Sequence, residues 1–319
     1  MSKLAVVSGR SNIQLAKDVK RLLDDKAEWI DAEINDFSNG EIHVKYLESL
    51  RGKDVFLFQG CNSDPNKDAM ELFIMIHTAH LASARRITAV IPYIYGSRQD
   101  RKSEPRTPVT ISLIANLIEA SMADRVVTVS LHSPQSVAAF KRTKIDNLTS
   151  AQIFGSLIKK ILRGHKDEFV MVSPDTGGIG RVRYYSNSFN VPLAFANKYR
   201  PGKNKSEVIN IVGDVTDKNC IIIDDMIDTG GSIIKLTEAL KESGAKEIIA
   251  IVTHLILSKD AKTNLVNSSV EKIYGADGIY HENLPEKFEV FSLSELLADV
   301  VLRIHEDRSI GVLFEKFIK

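Results

Sequence analysis

Two adjacent carboxylates, two glycines and two hydroxyls lie close together in the segment Asp224–Ser232. Three isoleucines come directly before the segment, and an amphipathic pattern follows it over Ile233–Ser243. This order predicts a buried strand that ends at the acidic pair, then a short loop and the start of a helix. Glycines let backbone N–H groups turn toward one point, and a helix N-terminus carries partial positive charge. The loop therefore suits a phosphate group.

The side chains of this segment fit a phosphorylated sugar. Thr229 and Ser232 supply hydroxyl donors. Ionised carboxylates only accept hydrogen bonds, so Asp224 and Asp225 suit sugar hydroxyls or a divalent ion. A glycine-rich turn alone is more often a plain strand–helix connection, and the acidic pair beside it is what favours the phosphosugar site. The predicted site comprises Asp224, Asp225, Asp228, Thr229, Gly230, Gly231 and Ser232.

Short apolar runs alternate with amphipathic stretches along the chain. The runs predicted as buried strands are Leu4–Val7, Val55–Phe58, Ile87–Ile91, Val126–Val129, Val170–Val172, Ile221–Ile223 and Ile248–Val252. The stretches predicted as helices are Ile13–Leu23, Met70–Ser83, Ile111–Ser121, Ala151–Leu162 and Ile233–Ser243. Such alternation predicts an α/β fold with mainly parallel sheets flanked by helices. Parallel sheets bind ligands at the carboxyl ends of their strands, where the acidic pair is expected.

The length of 319 residues suggests two domains of about 150 residues each. A weak internal repeat supports this number, because the strand–helix–strand pattern of residues 54–92 returns in residues 219–253. We predict domains at 1–147 and 148–319, with the last ~15 residues packing on the first domain. Only the second copy of the repeat carries the phosphate loop.

The composition argues against several classes of function. A formal net charge of +1 gives no indication of binding to nucleic acid or to a membrane surface. No apolar run approaches the ~20 residues that span a bilayer, and the first apolar run is too short for a signal peptide. Cys61 and Cys220 lie far apart and form no disulfide framework, which fits a reducing compartment. These features together predict a cytoplasmic protein.

The segment Asp224–Ser232 resembles the 5-phosphoribosyl-diphosphate motif of the type I phosphoribosyltransferase fold. Other segments resemble the ribose-phosphate diphosphokinase family, in the order that the family has them. They are Asp36–Glu41, Glu48–Asp54, Pro92–Lys102, Val172–Gly178, Asn197–Pro201 and Asn210–Val215. The resemblance covers almost the whole chain and implies two similar domains of type I phosphoribosyltransferase fold. It also implies transfer of the β,γ-diphosphate of ATP to the C1 hydroxyl of ribose 5-phosphate.

The resemblance assigns further residues to roles in this reaction. ATP is expected to bind to Phe37, Asn39, Glu41, Arg98, Gln99, Asp100 and His132, the first three acting from a neighbouring subunit. Lys198 and Arg200, on a mobile loop, are expected to stabilise the transition state. Ribose 5-phosphate is expected on the loop after Asp225. The family implies a homohexamer built from dimers.

The resemblance also implies Mg²⁺ and an allosteric anion site. His132 and Asp175 match the metal motifs, while Ser130 stands where the family usually has an aspartate. Mg²⁺ keeps several waters, so the loss of one carboxylate need not remove it. The predicted anion site contains Ser49, Arg51, Asn147 and Ser309. The segment Gln135–Phe140 departs from the family pattern, which leaves phosphate activation and ADP inhibition open.

Two other functions stay open at this point. A phosphoribosyltransferase would consume the activated sugar, but a chain of two similar halves is long for one. A non-catalytic regulatory paralogue of the synthase would resemble the family and lack catalytic residues. Lys198, Arg200, Asp175 and His132 argue against the paralogue, whereas Ser130 is consistent with it.

Overall fold

The computed structural model describes residues 2–62, 64–199 and 208–315. The chain packs into two compact units. Unit 1 comprises the residues up to Ser150 together with Gly278–Tyr280 and Ser292–Glu315, and unit 2 comprises Ala151–Asp277 and His281–Phe291. The predicted domain boundary between residues 147 and 148 stays a prediction.

Unit 1 contains eight strands among its described residues. They are β1 (Leu4–Ser8), β2 (Ala27–Trp29), β3 (Ala32–Asp36), β4 (Ile42–Tyr46), β5 (Asp54–Phe58), β6 (Arg86–Val90), β7 (Arg125–Val129) and β8 (Lys144–Leu148). Six of them form a parallel sheet in the order β2-β1-β5-β6-β7-β8. Strands β3 and β4 form a separate antiparallel hairpin. Every residue of β1 and β5 is buried, as expected of a sheet covered on both faces.

The helices of unit 1 include α1 (Ile13–Leu23), α2 (Pro65–Leu81) and α3 (Thr110–Ala120). Side chains cap the N-termini of the first two. The Asn12 side chain accepts the N–H of Leu15 at the start of α1. Helix α2 begins earlier than the sequence pattern suggests, because Asp64 caps it and proline suits its first position.

Unit 2 has a larger sheet, with seven strands among its described residues. These are β9 (Phe169–Ser173), β10 (Leu193–Tyr199), β11 (Val208–Val212), β12 (Asn219–Ile227), β13 (Ile248–Leu255), β14 (Lys272–Ala276) and β15 (Phe288–Phe291). Their order is β11-β10-β9-β12-β13-β14-β15, and only β10 and β11 pair antiparallel. Helices α4 (Ala151–Ile161), α5 (Ile179–Phe189), α6 (Gly231–Glu242) and α7 (Ala261–Val266) complete the unit.

The chain returns to unit 1 through α8 (Ser294–His305) and α9 (Val312–Glu315), and α8 packs against α1. The predicted α/β class, with mainly parallel sheets flanked by helices, is confirmed. No helix in the part of the chain that the structure describes has the length and apolar character needed to cross a membrane.

Candidate functional site

The phosphate loop predicted from sequence connects β12 to α6. Gly230 has φ 80°, and a Cβ placed there would lie 3.0 Å from Leu265 Cγ, so both conformation and space favour glycine. The Ser258 N–H donates to the Asp228 carbonyl at 3.0 Å, which fastens the loop. The first N–H groups of any helix lack partners within the helix, so the first turn of α6 offers donors to a phosphate.

The acidic pair lies inside β12 and not at its end. The strand continues to Ile227, because Met226 and Ile227 pair with His254 and Leu255 of β13. The prediction that the strand ends at Asp224 and Asp225 is therefore wrong by two residues.

Arg181 on α5 contacts both carboxylates of the acidic pair. Its Nη1 lies 3.2 Å from Asp224 Oδ1 and 3.1 Å from Asp225 Oδ1. Burial, and then the neighbouring Asp225, raise the pKa of Asp224 well above its usual range, while Arg181 acts in the opposite direction. The pair therefore holds a proton to higher pH than an isolated aspartate would.

Asp175 lies in the loop between β9 and α5. Its Oδ1 accepts the Gly178 N–H at 2.9 Å, and its carbonyl accepts the Ser173 hydroxyl at 2.7 Å. Its side chain is exposed. Strands β9 and β12 are parallel neighbours, so the Asp175 loop and the phosphate loop follow adjacent strands at the same edge of the unit 2 sheet.

Lys198 lies near the end of β10, the next strand in that sheet. Phe195 of β10 pairs with Ser173 of β9, which brings the end of β10 to the same edge. Lys198 is half-buried and pairs with Ile209 of β11. Arg200, the second predicted catalytic residue, lies outside the described residues.

The predicted adenine-binding residues form the tip of the β3–β4 hairpin. The Phe37 N–H donates to the Glu41 carbonyl at 2.8 Å, and the Glu41 N–H donates to Asn39 Oδ1 at 3.2 Å. These bonds close a compact tip. The Phe37 side chain is 55% exposed, so its ring is accessible.

The other predicted ATP residues follow the carboxyl ends of β6 and β7. Arg98, Gln99 and Asp100 lie between β6 and α3, and His132 lies three residues after β7. Gln99 Oε1 accepts the Thr110 hydroxyl, which ties the loop to the start of α3. Arg98 and His132 are both exposed. Since β6 and β7 are parallel neighbours, these residues follow one edge of the unit 1 sheet.

Several residues considered for metal or anion binding have local structural contacts. Ser130 has φ 47°, and its hydroxyl donates to the Ser150 hydroxyl at 3.1 Å. Asn147 Oδ1 accepts the Leu131 N–H at 3.0 Å.

The remaining predicted anion-site residues cap turns. Ser49 Oγ accepts the Arg51 N–H at 3.3 Å, and Ser309 Oγ accepts the Gly311 N–H at 3.1 Å. Binding of an anion by these residues stays a prediction.

The structure brings the predicted unit 2 residues that it describes to one edge of a sheet. It brings the predicted ATP residues of the β6 and β7 loops to one edge of the other sheet. The sequence reasoning missed Arg181. A possible signal was its position in the first turn of a helix that directly follows the glycine pair Gly177–Gly178. Its contact with Asp224 joins residues 43 positions apart, which no local pattern reveals.

Comparison with known proteins identifies the family. Residues 4–121 match the N-terminal domain of ribose phosphate pyrophosphokinase, and residues 183–315 match the phosphoribosyl synthetase-associated domain. The chain is 42% identical over 317 residues to the ribose-phosphate pyrophosphokinase of Thermosipho africanus, covering 99% of this chain and 98% of that one. The chain belongs to the ribose-phosphate pyrophosphokinase family. The resemblance predicted from the sequence motifs is thereby confirmed.

Other members of the ribose-phosphate pyrophosphokinase family agree with this result. The Thermotoga maritima ribose-phosphate pyrophosphokinase is 42% identical over 313 residues, with 98% of each chain covered. The crystal structure of phosphoribosylpyrophosphate synthetase from Mycobacterium smegmatis matches with a TM-score of 0.88 and 34% identity. That match covers 96% of this chain and 100% of the other, so the family is one of enzymes with this fold.

Proposed function

We propose that this protein transfers the β,γ-diphosphate of ATP to the C1 hydroxyl of ribose 5-phosphate. The products are 5-phosphoribosyl 1-diphosphate and AMP. Membership of the ribose-phosphate pyrophosphokinase family supports the reaction. The phosphate loop and the acidic pair at the edge of the unit 2 sheet are groups that could bind a phosphorylated sugar.

The observation that carries the proposal is the arrangement at the end of β12. The segment from Asp228 to Ser232 runs into the first turn of α6, which begins at Gly231, and the acidic pair lies two residues before this segment. The loop would bind the 5-phosphate through backbone N–H groups and through Thr229 and Ser232. Asp224 and Asp225 would bind the 2- and 3-hydroxyls of the ribose, since carboxylates accept hydrogen bonds.

The nucleotide would bind through residues of unit 1. The exposed ring of Phe37 can stack on adenine, and Asn39 and Glu41 can bond to its edge. Arg98, Gln99, Asp100 and His132 would bind the remaining parts of ATP. We infer that the hairpin tip serves a neighbouring subunit, which requires an oligomer, and that the assembly is a homohexamer built from dimers.

Mg²⁺ would accompany the ATP phosphates. The exposed carboxylate of Asp175 is the kind of oxygen ligand that Mg²⁺ prefers, and His132 is the other proposed ligand. Among the described residues, no group of three or more His, Cys, Asp or Glu side chains could hold a metal. Mg²⁺ keeps several waters and often binds largely to substrate phosphates. When bound, it neutralises phosphate charge.

The catalytic step is an in-line displacement. The C1 hydroxyl of ribose 5-phosphate attacks the β-phosphorus and releases its proton to water. The bond between that phosphorus and the oxygen bridging to the α-phosphate breaks, and AMP leaves with this oxygen. Lys198, with Arg200, would stabilise the charge that develops on the transferring group. We infer that the reaction takes place in the cytoplasm on small molecules, without nucleic acid or a membrane.

The proposal is tested with purified protein, ATP, Mg²⁺ and ribose 5-phosphate, with and without inorganic phosphate. We expect AMP to form only when the sugar is present, and Lys198→Ala to lower kcat by about 10²-fold or more. The comparison with phosphate tests the predicted anion site. AMP formation that does not depend on ribose 5-phosphate would contradict the proposal. No AMP formation under any of these conditions would also contradict it and would favour the non-catalytic paralogue.

A further inference from the structure

The β3–β4 hairpin is joined to the rest of unit 1 by charged side chains outside the proposed site. Asp36 is the last residue of β3 and directly precedes Phe37. Arg10 Nη2 donates to Asp36 Oδ1 at 2.9 Å, and Lys67 Nζ lies 2.5 Å from Asp36 Oδ2. These contacts therefore act at the residue where the tip, residues 37–41, begins.

Glu71 on α2 fixes the direction of Arg10. Its Oε1 accepts the backbone N–H of Arg10 at 2.7 Å, and its Oε2 accepts Arg10 Nε at 2.6 Å. The Glu71 side chain is only 2% exposed. Hydrogen bonds between ionised groups are stronger than neutral ones, and burial protects them from screening. The guanidinium of Arg10 is thus held at one end while its other end reaches Asp36.

The carboxylate of Glu71 is itself closely packed. Gln59 Nε2 donates to Glu71 Oε1 at 3.0 Å, and Gln59 Oε1 accepts the Ser11 hydroxyl at 2.7 Å. A Cβ at Gly9 would lie 2.4 Å from Gln59 Oε1 and 2.9 Å from Glu71 Oε1. The glycine at position 9 makes this close approach possible, and the network has little room to rearrange.

Helix α2 holds the hairpin at both ends. Lys67 and Glu71 lie one turn apart on the same helix. Lys67 contacts Asp36 directly, and Glu71 contacts Arg10, which in turn contacts Asp36. Near the open end of the hairpin, the Tyr46 hydroxyl donates to the Met75 carbonyl at 2.7 Å. Arg10, followed by Lys67, lowers the pKa of Asp36 to about 2, so Asp36 is ionised at any ordinary assay pH.

We propose that Glu71, Arg10 and Asp36 form a positioning chain that orients the hairpin tip for the adenine nucleotide. The inference rests on the proposed role of Phe37, Asn39 and Glu41. A tip without this chain has to be ordered by the nucleotide itself, which weakens ATP binding. Turnover at saturating ATP and the KM for ribose 5-phosphate do not depend on it.

The test uses Asp36→Asn, Glu71→Gln and the double variant in the full-length enzyme. Steady-state rates give the KM for each substrate, and calorimetry with Mg-ATP in the absence of the sugar gives the affinity directly. We expect each variant to raise the KM and Kd for ATP about fivefold, with kcat and the KM for ribose 5-phosphate unchanged. The double variant is expected to match the larger single effect, because Glu71 reaches Asp36 only through Arg10 in the proposed chain.

Glu33→Gln is the matched control. Glu33 lies on the same strand as Asp36 and forms a pair with Lys45 at 3.4 Å, with both side chains more than half exposed. It is expected to leave ATP binding unchanged. Glu71 is buried, so Glu71→Gln could fail to fold. Asp36→Asn then decides the test, because the Asp36 side chain is 30% exposed in the native protein.

A Phe37→Ala variant separates this inference from the proposed function. If Phe37→Ala weakens ATP binding and Asp36→Asn does not, the positioning chain is wrong and the role of the tip stands. If Phe37→Ala leaves ATP binding unchanged, the tip does not bind the nucleotide, and the proposed positioning chain is wrong as well. Additive losses in the double variant, or equal increases in both KM values, would also overturn the chain.

Discussion

The guanidinium of Arg181, in the first turn of α5, lies 3.2 Å from the carboxylate of Asp224, within strand β12 of the same unit. The same Nη1 atom lies 3.1 Å from Asp225 Oδ1, so one guanidinium forms ion pairs with two carboxylates. Removing a partner from a buried charged group usually costs more than the pair itself contributes. Arg181 therefore affects both the stability of this edge and the charge that the ribose meets.

Replacement of Arg181 by glutamine is expected to weaken ribose 5-phosphate binding. Arg181 opposes the upward shift in the pKa of Asp224, so its loss raises that pKa further. The pH at which the KM for ribose 5-phosphate reaches its minimum should then move upward. A KM measured over about pH 5 to 8, the range in which proteins tend to be most stable, checks this. An unchanged pH profile would contradict the assigned contact.

Asp224→Asn is expected to change how stability depends on pH. The folded protein has a raised pKa at Asp224, so it holds a proton that the unfolded chain releases near pH 4. This stabilisation is present at low pH and is lost as pH rises toward the folded pKa. The variant should therefore lose less stability than the wild type as the pH increases above about 4.

Thermal unfolding at several pH values measures the effect of Asp224→Asn. The control is Asp217→Asn, in the same unit, whose side chain is 82% exposed. A parallel pH dependence for the wild type and Asp224→Asn would contradict the raised pKa.

Gly230→Ala is expected to destabilise unit 2 and weaken ribose 5-phosphate binding. The residue has φ 80°, which costs an alanine about 1–2 kcal/mol, and the new Cβ would lie 3.0 Å from Leu265 Cγ. Denaturant unfolding and the KM for the sugar measure the two effects. Gly180→Ala is the control, because Gly180 lies in α5 with nothing within 4 Å of a Cβ and no positive φ. Equal stability of the two variants would contradict the account of the loop.

Arg86→Met is expected to destabilise the protein by about 3 kcal/mol. Arg86 Nε donates to Asp54 Oδ1 at 2.8 Å and Nη2 donates to Oδ2 at 2.5 Å, while the Asp54 side chain is only 2% exposed. His305 Nδ1 lies 2.7 Å from the same carboxylate, so Asp54 keeps one partner in the variant and the loss of stability is smaller than for a carboxylate left with none. Urea unfolding measures the loss of stability. Lys45→Met is the control, because the exposed ion pair of Lys45 with Glu33 contributes little to stability. A loss no larger than that of the control would contradict the prediction.

The fold was largely predictable because its strands are apolar runs. The predicted helix Ile13–Leu23 coincides with α1, and the predicted strand Val126–Val129 misses only one residue of β7. The β3–β4 hairpin was missed because its residues are mostly exposed or half-buried and form no apolar run. Helix α5 was missed for a related reason, since only Val182 and Tyr185 are buried in it.

The site was predictable where its chemistry is local. The acids, hydroxyls and glycines of the phosphate loop are consecutive, so their types and order were informative. The contacts of Arg181 with Asp224 and of Arg10 with Glu71 join residues 43 and 61 positions apart. Such contacts depend on which strands become neighbours in the sheet, and single residues of the sequence do not carry that information.

The central claim is that a diphosphate, and not a single phosphate, is transferred to ribose 5-phosphate. The most direct measurement uses ATP labelled at the β-phosphorus, with Mg²⁺ and ribose 5-phosphate, followed by separation of the products. The label is expected to enter the sugar product, in an amount equal to the unlabelled AMP that forms. Label that appears instead in ADP or in free pyrophosphate, with an unlabelled sugar, would contradict it.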